Sequence, residues 1–310
     1  MKSIKELYRI GTGPSSSHTM GPRKAAEIFL ERHPEATAFK VTLYGSLAAT
    51  GKGHMTNIAI TEVLQPVAPV EIIWEPKIFL PFHPNGMKFV SVDKEGKETD
   101  QWVVFSIGGG ALAEESDGAS SVNTPDVYSM NSMTEILQWC ERTGKSYWEY
   151  VKECEDSDIW DYLQEVWKTM QNAVKRGLEQ EGVLPGPLNL RRKASTYYIR
   201  ASGYKQSLQS RGLVFAYALA VSEENASGGV IVTAPTCGSC GVMPAVLYHL
   251  AKSREFSDTR ILRALATAGL VGNIVKTNAS ISGAEVGCQG EVGVACAMAS
   301  AAANQLFGGS

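Results

Sequence analysis

The spacing of hydrophobic and polar positions changes close to residue 130 of this 310-residue chain. Before that point, short apolar runs alternate with polar residues and are separated by Gly and Pro, which is typical of strands and turns. From residue 131 onward, apolar residues recur every three or four positions, as in amphipathic helices. The pattern predicts an α+β domain over residues 1–130, with a small, mainly antiparallel sheet and helices. An all-α domain is predicted over residues 131–310, with no sheet shared between the two halves.

Individual elements follow from the same pattern. The first half contains one predicted helix, over residues 21–32, and five predicted strands, at residues 38–44, 70–74, 77–80, 87–92 and 101–107. The second half contains predicted helices at residues 134–142, 147–155, 159–181, 213–221 and 257–272. A last helix is predicted over residues 291–307, where almost every residue is small. This run places Cys288 at or just before a helix N-terminus, where unpaired N–H groups favour a thiolate.

Composition narrows the class of protein. The formal charge is −3, with both signs interspersed, so neither a nucleic acid nor an anionic membrane is an expected partner. No run approaches 18 apolar residues, and the N-terminus lacks the apolar core of a signal peptide. We therefore expect a cytoplasmic protein whose six cysteines stay reduced.

Four cysteines in the second half could bind a metal. Cys237 and Cys240 form a C-x-x-C motif, and Cys288 and Cys296 follow. Together they could form a four-thiolate zinc or iron–sulfur site, and the C-x-x-C pair alone could be redox-active. Eight residues of regular helix separate Cys288 from Cys296 by about 12 Å, too far to grip one cluster. Cys237 and Cys240 could reach Cys288 only if their loop faces the start of that helix. A cysteine in a small-residue helix is also often a plain core residue.

Two groups of polar residues could bind or transform a small anion. The loop before the first helix carries Ser15, Ser16, Ser17, His18 and Thr19. Such a loop can bind an anion or simply cap the helix. Asn278, Ser280 and Ser282 precede Cys288, and they too could hold a carboxylate or cap a helix.

Three histidines lie in glycine- or proline-containing loops rather than on an apolar helix face. They are His18, His54 and His83. Histidine in such loops is a candidate for proton transfer near neutral pH. His33 and His249 lack this context, so surface or structural roles are expected for them.

Several of these motifs occur together in one known family. The chain resembles the iron–sulfur L-serine dehydratases at residues 11–19, 51–54, 83–87, 223–226, 233–236 and 278–293. The resemblance implies a β-type domain followed by an α-type catalytic domain, which some relatives carry as separate chains. It implies conversion of L-serine to pyruvate and ammonia, with a 4Fe–4S cluster as Lewis acid. It also implies a cytoplasmic homodimer that serves amino-acid degradation and gluconeogenesis.

The resemblance also implies roles for particular residues. His54 would take the α-proton of the substrate, and His83 would be a second proton-handling or orienting group. Ser15, Ser16, Ser17, His18 and Thr19, with Asn278, Ser280 and Ser282, would hold the carboxylate. Cys288 would be a cluster ligand, whereas Cys237, Cys240 and Cys296 would not.

The family takes its remaining two cluster thiolates from a later cysteine pair. The sequence ends at Ser310 before such a pair. We therefore expect residues 131–310 to be C-terminally incomplete. By this count of ligands, the 310-residue chain alone would lack a complete cluster and would be inactive.

Two other functions remain open. A pyridoxal-phosphate dehydratase would need a Schiff-base lysine, for which Lys276 is available, but its neighbours do not match that family's pattern. No pyridoxal phosphate is therefore expected. A non-catalytic amino-acid-binding or zinc-stabilised regulatory protein would instead use the four cysteines.

Overall fold

The computed structural model describes residues 1–115, 125–281 and 283–309, apart from the side chains of residues 284 and 285. Internal contacts divide the chain into two compact units. The helical unit comprises Met1–Thr12 and Pro125–Ser310, and the sheet unit comprises Gly13–Thr124.

The sheet unit is built on five strands in the order β3-β2-β4-β5-β6. Their bounds are Ala38–Tyr44 for β2, Val70–Glu75 for β3, Gly86–Val92 for β4, Glu98–Gly108 for β5 and Ala111–Ala113 for β6. The β2–β3 pair is parallel, and the other three pairs are antiparallel. The predicted mainly antiparallel sheet is therefore confirmed.

One face of this sheet is covered by helices. Helix α1 (Gly21–Arg32), helix α2 (Gly45–Thr50) and helix α3 (Thr56–Leu64) belong to the same unit. Phe39 and Phe89, from neighbouring strands, and Phe29, from α1, are fully buried together. The Phe29 and Phe89 rings lie 5.4 Å apart between centroids. Aromatic side chains bury large areas, so this cluster is a main source of stability.

The strand predicted at residues 77–80 is wrong. This stretch has no strand structure, and Phe79 is exposed. Pro76 and Pro81 flank it, and proline cannot donate to a strand ladder. The alternating pattern at residues 77–80 therefore does not correspond to a strand of the sheet.

The helical unit contains eight α-helices within its described residues. They are α4 (Met133–Thr143), α5 (Tyr147–Cys154), α6 (Ile159–Glu179), α7 (Ala194–Ser202), α8 (Gln206–Ala226), α9 (Val242–Arg254), α10 (Asp258–Asn278) and α11 (Gly283–Leu306). Capping explains the start of α4, because Ser132 and Glu135 form reciprocal hydrogen bonds there. No helix in the described part of the chain has both the length and the apolar character needed to cross a membrane.

The helical unit also contains two short paired strands. Strand β1 (Ile10–Thr12) pairs antiparallel with β7 (Val230–Val232). The predicted α+β and helical fold class is confirmed, but the expectation that no sheet joins early and late residues is wrong. Three-residue strands are too short for an alternating pattern to reveal them. The same pairing ties residues 1–12 to the helical unit.

Candidate active site

The serine-rich loop of the sheet unit forms one π-type turn, Ser16–Met20, directly before α1. The Ser15 hydroxyl accepts a hydrogen bond from the His18 N–H at 3.1 Å. The Thr19 hydroxyl accepts one from the Ser15 N–H at 3.2 Å. Both hydroxyls therefore stabilise the turn itself, and the turn fixes the direction of the His18 ring.

Two threonines connect this turn to the loop that carries His54. The Thr19 hydroxyl donates to the His54 carbonyl at 2.7 Å, and the Thr56 hydroxyl donates to the His18 carbonyl at 2.5 Å. The His18 and His54 ring centroids lie 4.7 Å apart. Sequence reasoning selected both histidines, and the structure brings them into contact.

His18 is held in its neutral form. Burial, with a smaller contribution from His54, lowers the pKa of His18 to about 4, against an opposing hydrogen bond with the Ser46 backbone. Its Nδ1 lies 3.0 Å from the Ser17 hydroxyl, and its Nε2 lies 3.1 Å from the Ser46 hydroxyl. A neutral imidazole donates through one nitrogen and accepts through the other, so the three side chains form a directed chain.

The hydrogen bond made by His54 determines which of its ring nitrogens is basic. Its Nδ1 lies 3.0 Å from the Thr50 carbonyl oxygen. Because a carbonyl can only accept, Nδ1 of the neutral ring carries the proton and Nε2 carries the lone pair. The half-buried His54 ring is therefore oriented to accept a proton at Nε2.

His83 has the other tautomer. Its Nδ1 accepts a hydrogen bond from the Asn85 N–H at 3.1 Å, so Nε2 of the neutral ring carries the proton. The same loop reaches the His18 site, because the Ser46 N–H donates to the Pro84 carbonyl at 3.1 Å. Gly45, at φ +48°, allows this approach, since a Cβ there would lie 2.7 Å from the Pro84 oxygen.

Ser46 thus links the His18 turn to the loop of His83, and sequence reasoning missed it. The available signal was its position after Gly45, at the turn that ends a buried strand. A glycine-serine turn at the end of a strand is common, so only the spatial contacts single it out.

Cys288 lies at a break in α11, within the helical unit. Gly287 has φ 71° and ψ 177°, so the helix is interrupted there and resumes at Cys288. The expected position at a helix start is confirmed, and the thiol is exposed.

The polar residues before Cys288 are only partly described. The Asn278 side-chain amide donates to the carbonyls of Asn131, at 2.7 Å, and Ile274, at 2.9 Å. Ser280 is half-buried. Ser282 lies outside the described residues. Asn278 thus stabilises the end of α10 in addition to any role in binding.

The C-x-x-C motif faces the start of the second segment of α11. A Cβ added at Gly238 would lie 2.8 Å from Oε2 of Glu291, and one added at Gly283 would lie at the same distance. Cys237 and Cys240 are buried, and burial raises the pKa of Cys240 to about 12. Burial, with Cys240 and Glu291 nearby, raises the pKa of Cys237 as well. Both residues are therefore neutral thiols at neutral pH.

We tested whether these residues fit an iron–sulfur cluster or a zinc ion. Within the described residues, no three His, Cys, Asp or Glu side chains are grouped closely enough to hold a metal ion. Cys296 is exposed like Cys288, but it lies eight positions further along α11. The described residues therefore offer Cys288 as one possible ligand, but they do not supply the remaining ligands of a complete cluster.

Lys276, the alternative Schiff-base residue, is engaged elsewhere. Its ammonium donates to the Glu6 carbonyl at 3.0 Å. Burial, followed by the nearby Arg9, lowers the pKa of Lys276 to about 8. This contact attaches the N-terminal segment to α10.

Comparison with known proteins identifies the family. Residues 85–310 match the serine dehydratase alpha chain, and residues 3–73 match the serine dehydratase beta chain. The L-serine dehydratase of Haemophilus influenzae is 37% identical, over all of this chain and 80% of that protein. L-serine dehydratase 1 of Escherichia coli is 39% identical with the same coverage. The L-serine dehydratase of Streptomyces coelicolor is 36% identical, over 99% of this chain and 79% of that protein.

Proposed function

This chain belongs to the serine dehydratase family, and we propose that it converts L-serine to pyruvate and ammonia. The reaction removes the α-proton and the β-hydroxyl of L-serine as water. The aminoacrylate that forms tautomerises to an imine, and hydrolysis of the imine releases pyruvate and ammonia. Two steps need help from the protein, because the α-proton is weakly acidic and hydroxide is a poor leaving group.

The observation that carries the proposal is the tautomer of His54. With Nδ1 held by the Thr50 carbonyl, Nε2 is the basic atom of the ring. We assign to it the removal of the α-proton, since a neutral imidazole is suited to this task near neutral pH. Its neighbour His18 stays neutral, so the positive charge that forms on His54 meets no second charge on that ring.

His83 can supply the complementary proton. Its Nε2 carries the proton, because Nδ1 is occupied by the Asn85 N–H. We assign to His83 the donation of a proton or hydrogen bond to the leaving hydroxyl, which then departs as water. The opposite tautomers of His54 and His83 thus match the base and the acid of an elimination.

Substrate binding is assigned to the two polar groups found in the sequence. In the sheet unit, the candidates are Ser16, Ser17 and His18, of which Ser16 and His18 are buried, while Ser15 and Thr19 shape the π-turn. In the helical unit, the candidates are Asn278, Ser280 and Ser282. We propose a carboxylate-binding role for residues of each group, taken by itself.

We further propose an iron–sulfur cofactor for which Cys288 supplies one thiolate. A cluster iron would act as a Lewis acid toward the hydroxyl group of the substrate. The other described residues do not complete its ligand set, so we assign no step to it. The small net charge and the six free cysteines are compatible with the cytoplasm. We propose that the protein is a homodimer there and serves amino-acid degradation and gluconeogenesis.

The test is L-serine-dependent release of pyruvate by protein purified without oxygen, with metal and sulfide analysis of the same sample. Pyruvate release with bound iron and sulfide supports the proposal. Bound zinc without pyruvate release would instead identify a zinc-stabilised binding protein. An internal-aldimine absorbance would identify a pyridoxal-phosphate enzyme.

Cys288→Ser should lower the iron content of the full-length protein. The matched control is Cys296→Ser, because Cys296 is also exposed and lies on the same helix. Equal iron in both variants and in the wild type would exclude Cys288 as a ligand.

A further inference from the structure

The side chain of Asn85 takes the place of a backbone donor just before strand β4. Strands β4 and β5 are antiparallel, and their register pairs Gly86 with Phe105. One step further along, Asn85 lies opposite Ser106. The Ser106 N–H donates to the Asn85 carbonyl at 3.0 Å, which is one of the two hydrogen bonds of a regular pair. The second would join the Asn85 N–H to the Ser106 carbonyl, but that carbonyl instead accepts from Nδ2 of Asn85 at 3.2 Å.

This exchange of donors leaves the backbone N–H of Asn85 available to His83. The N–H donates to Nδ1 of His83 at 3.1 Å. A single N–H proton cannot serve the imidazole ring and the Ser106 carbonyl equally well at the same time. Because the side-chain amide satisfies the carbonyl, the N–H can hold the neutral ring with Nδ1 unprotonated and Nε2 protonated.

Burial makes the side-chain donor of Asn85 necessary. Asn85 is 3% exposed and Ser106 is fully buried, and a buried carbonyl that loses its donor is costly. Oδ1 of Asn85 has no hydrogen-bond partner among the described residues, so the amide nitrogen accounts for asparagine at this position. Ser106 is a rigid anchor, since its Oγ lies where a Cβ at Gly21 would be 2.2 Å away.

We propose that Asn85 is a positioning residue, which fixes the tautomer of His83 through its own backbone N–H. The catalytic part of this inference rests on the proposed function, in which His83 donates a proton or hydrogen bond from Nε2 to the leaving hydroxyl. Without the side-chain amide, the donor in register with the Ser106 carbonyl is the N–H of residue 85. That N–H would return to the strand ladder, and Nδ1 of His83 would lose its partner.

The test is NMR of the full-length protein with ¹⁵N-labelled histidine, recorded at alkaline pH, where an imidazole is neutral. The ¹⁵N chemical shifts distinguish a protonated ring nitrogen from an unprotonated one, and His83→Gln identifies the His83 signals. Asn85→Leu removes the amide donor at similar volume. The matched control is Asn273→Leu, because Asn273 is also buried and its side-chain amide donates to the Lys2 carbonyl at 2.7 Å. A thermal melt confirms that each variant is folded.

We expect His83 to be unprotonated at Nδ1 and protonated at Nε2 in the wild type and in Asn273→Leu. In Asn85→Leu, the Nδ1 signal should move toward the protonated value. The kcat for pyruvate release should fall by about 10-fold, as for the loss of one hydrogen bond, and KM for L-serine should not change. A wild type protonated at Nδ1, or a folded Asn85→Leu variant with the wild-type tautomer, would overturn the proposal. The wild-type spectrum is a test even if Asn85→Leu does not fold.

The same data separate this inference from the proposed function. A tautomer that changes in Asn85→Leu, with a wild type that releases no pyruvate, would support the positioning role and contradict the dehydratase assignment. Pyruvate release by the wild type, with an unchanged tautomer in Asn85→Leu, would contradict the positioning role alone. A changed tautomer with unchanged kcat would overturn the catalytic part of the inference.

Discussion

The imidazole rings of His18 and His54 lie 4.7 Å apart, and each residue's carbonyl accepts a threonine hydroxyl from the other's loop. Two imidazolium ions at this separation would repel each other. Burial, with a smaller contribution from His54, lowers the pKa of His18 to about 4, so His18 is neutral near pH 7. The relationship gives the two histidines different tasks, one as a neutral orienting group and the other as a base.

The buried His18 should make the stability of the protein depend on pH. Its pKa is lowered from 6.5 to about 4 in the folded protein, so between these values the unfolded chain binds more protons. The free energy of unfolding should therefore fall as pH drops from 6.5 toward 4, by about 2–3 kcal/mol from this group. Urea unfolding at a series of pH values measures the effect.

His18→Gln is the matched variant for this measurement, because glutamine can hydrogen-bond but does not titrate. It should lose less stability than the wild type over the same pH interval, whatever its stability at pH 7. Parallel curves for the two proteins would show that His18 is not the group responsible.

Local patterns predicted most of the elements, and contacts between distant segments account for what they missed. Strand β2 alternates buried Phe39, Val41 and Leu43 with less buried residues, so its sequence alone shows it. Helix α8 begins at Gln206, seven residues before its predicted start. Its first turns are polar, but Gly212 lies where a Cβ would be 2.8 Å from Ala201 on α7. The spacing of apolar residues does not predict this packing of α8 against α7.

The residues of the candidate site likewise fall into those that local sequence patterns revealed and those that only distant contacts reveal. The histidines, serines and Cys288 were found because glycine and proline mark the loops that hold them. Ser46 was missed because it does not lie in an unusual local pattern. It matters because it contacts both His18 and the Pro84 loop.

The thiols should differ sharply in their reactivity. Cys288 and Cys296 are exposed, whereas Cys237 and Cys240 are buried, with pKa values raised by burial. Alkylation requires an accessible thiolate, so brief iodoacetamide treatment of the folded protein prepared without iron should modify Cys288 and Cys296 first. Peptide mass spectrometry reports the order, and denaturation in urea should make all six cysteines react. Early labelling of Cys240 would contradict the buried position of its loop.

Gly177 should be intolerant of a side chain. A Cβ there would lie 2.2 Å from the Ala220 carbonyl oxygen, at the contact between α6 and α8. Gly177→Ala should destabilise the protein by about 1–3 kcal/mol, since the two helix backbones would have to separate. Gly293→Ala in α11 is the control, because no atom of another described segment lies within 4 Å of its Cβ position. Alanine should be neutral or stabilising there, as in any open helix interior. Similar thermal melts for the two variants would refute the close approach of α6 and α8.

His54 should be essential for turnover but not for folding. Its Nδ1 is held by the Thr50 carbonyl, so Nε2 accepts the α-proton, and no other group we assign can replace it. His54→Gln should lower kcat by about 10²–10⁴-fold, the usual contribution of a positioned base. KM for L-serine and iron content should change little, because His54 is assigned neither to the substrate carboxylate nor to the metal. His33→Gln is the matched control, since His33 pairs with Asp100 at 2.9 Å and lies outside the proposed site. Exchange of the α-proton of L-serine with deuterated solvent, measured by NMR, distinguishes loss of the base from loss of the leaving-group step. Normal exchange in His54→Gln would transfer the role of base to His83, whereas loss of exchange with retained L-serine binding identifies His54 as the base.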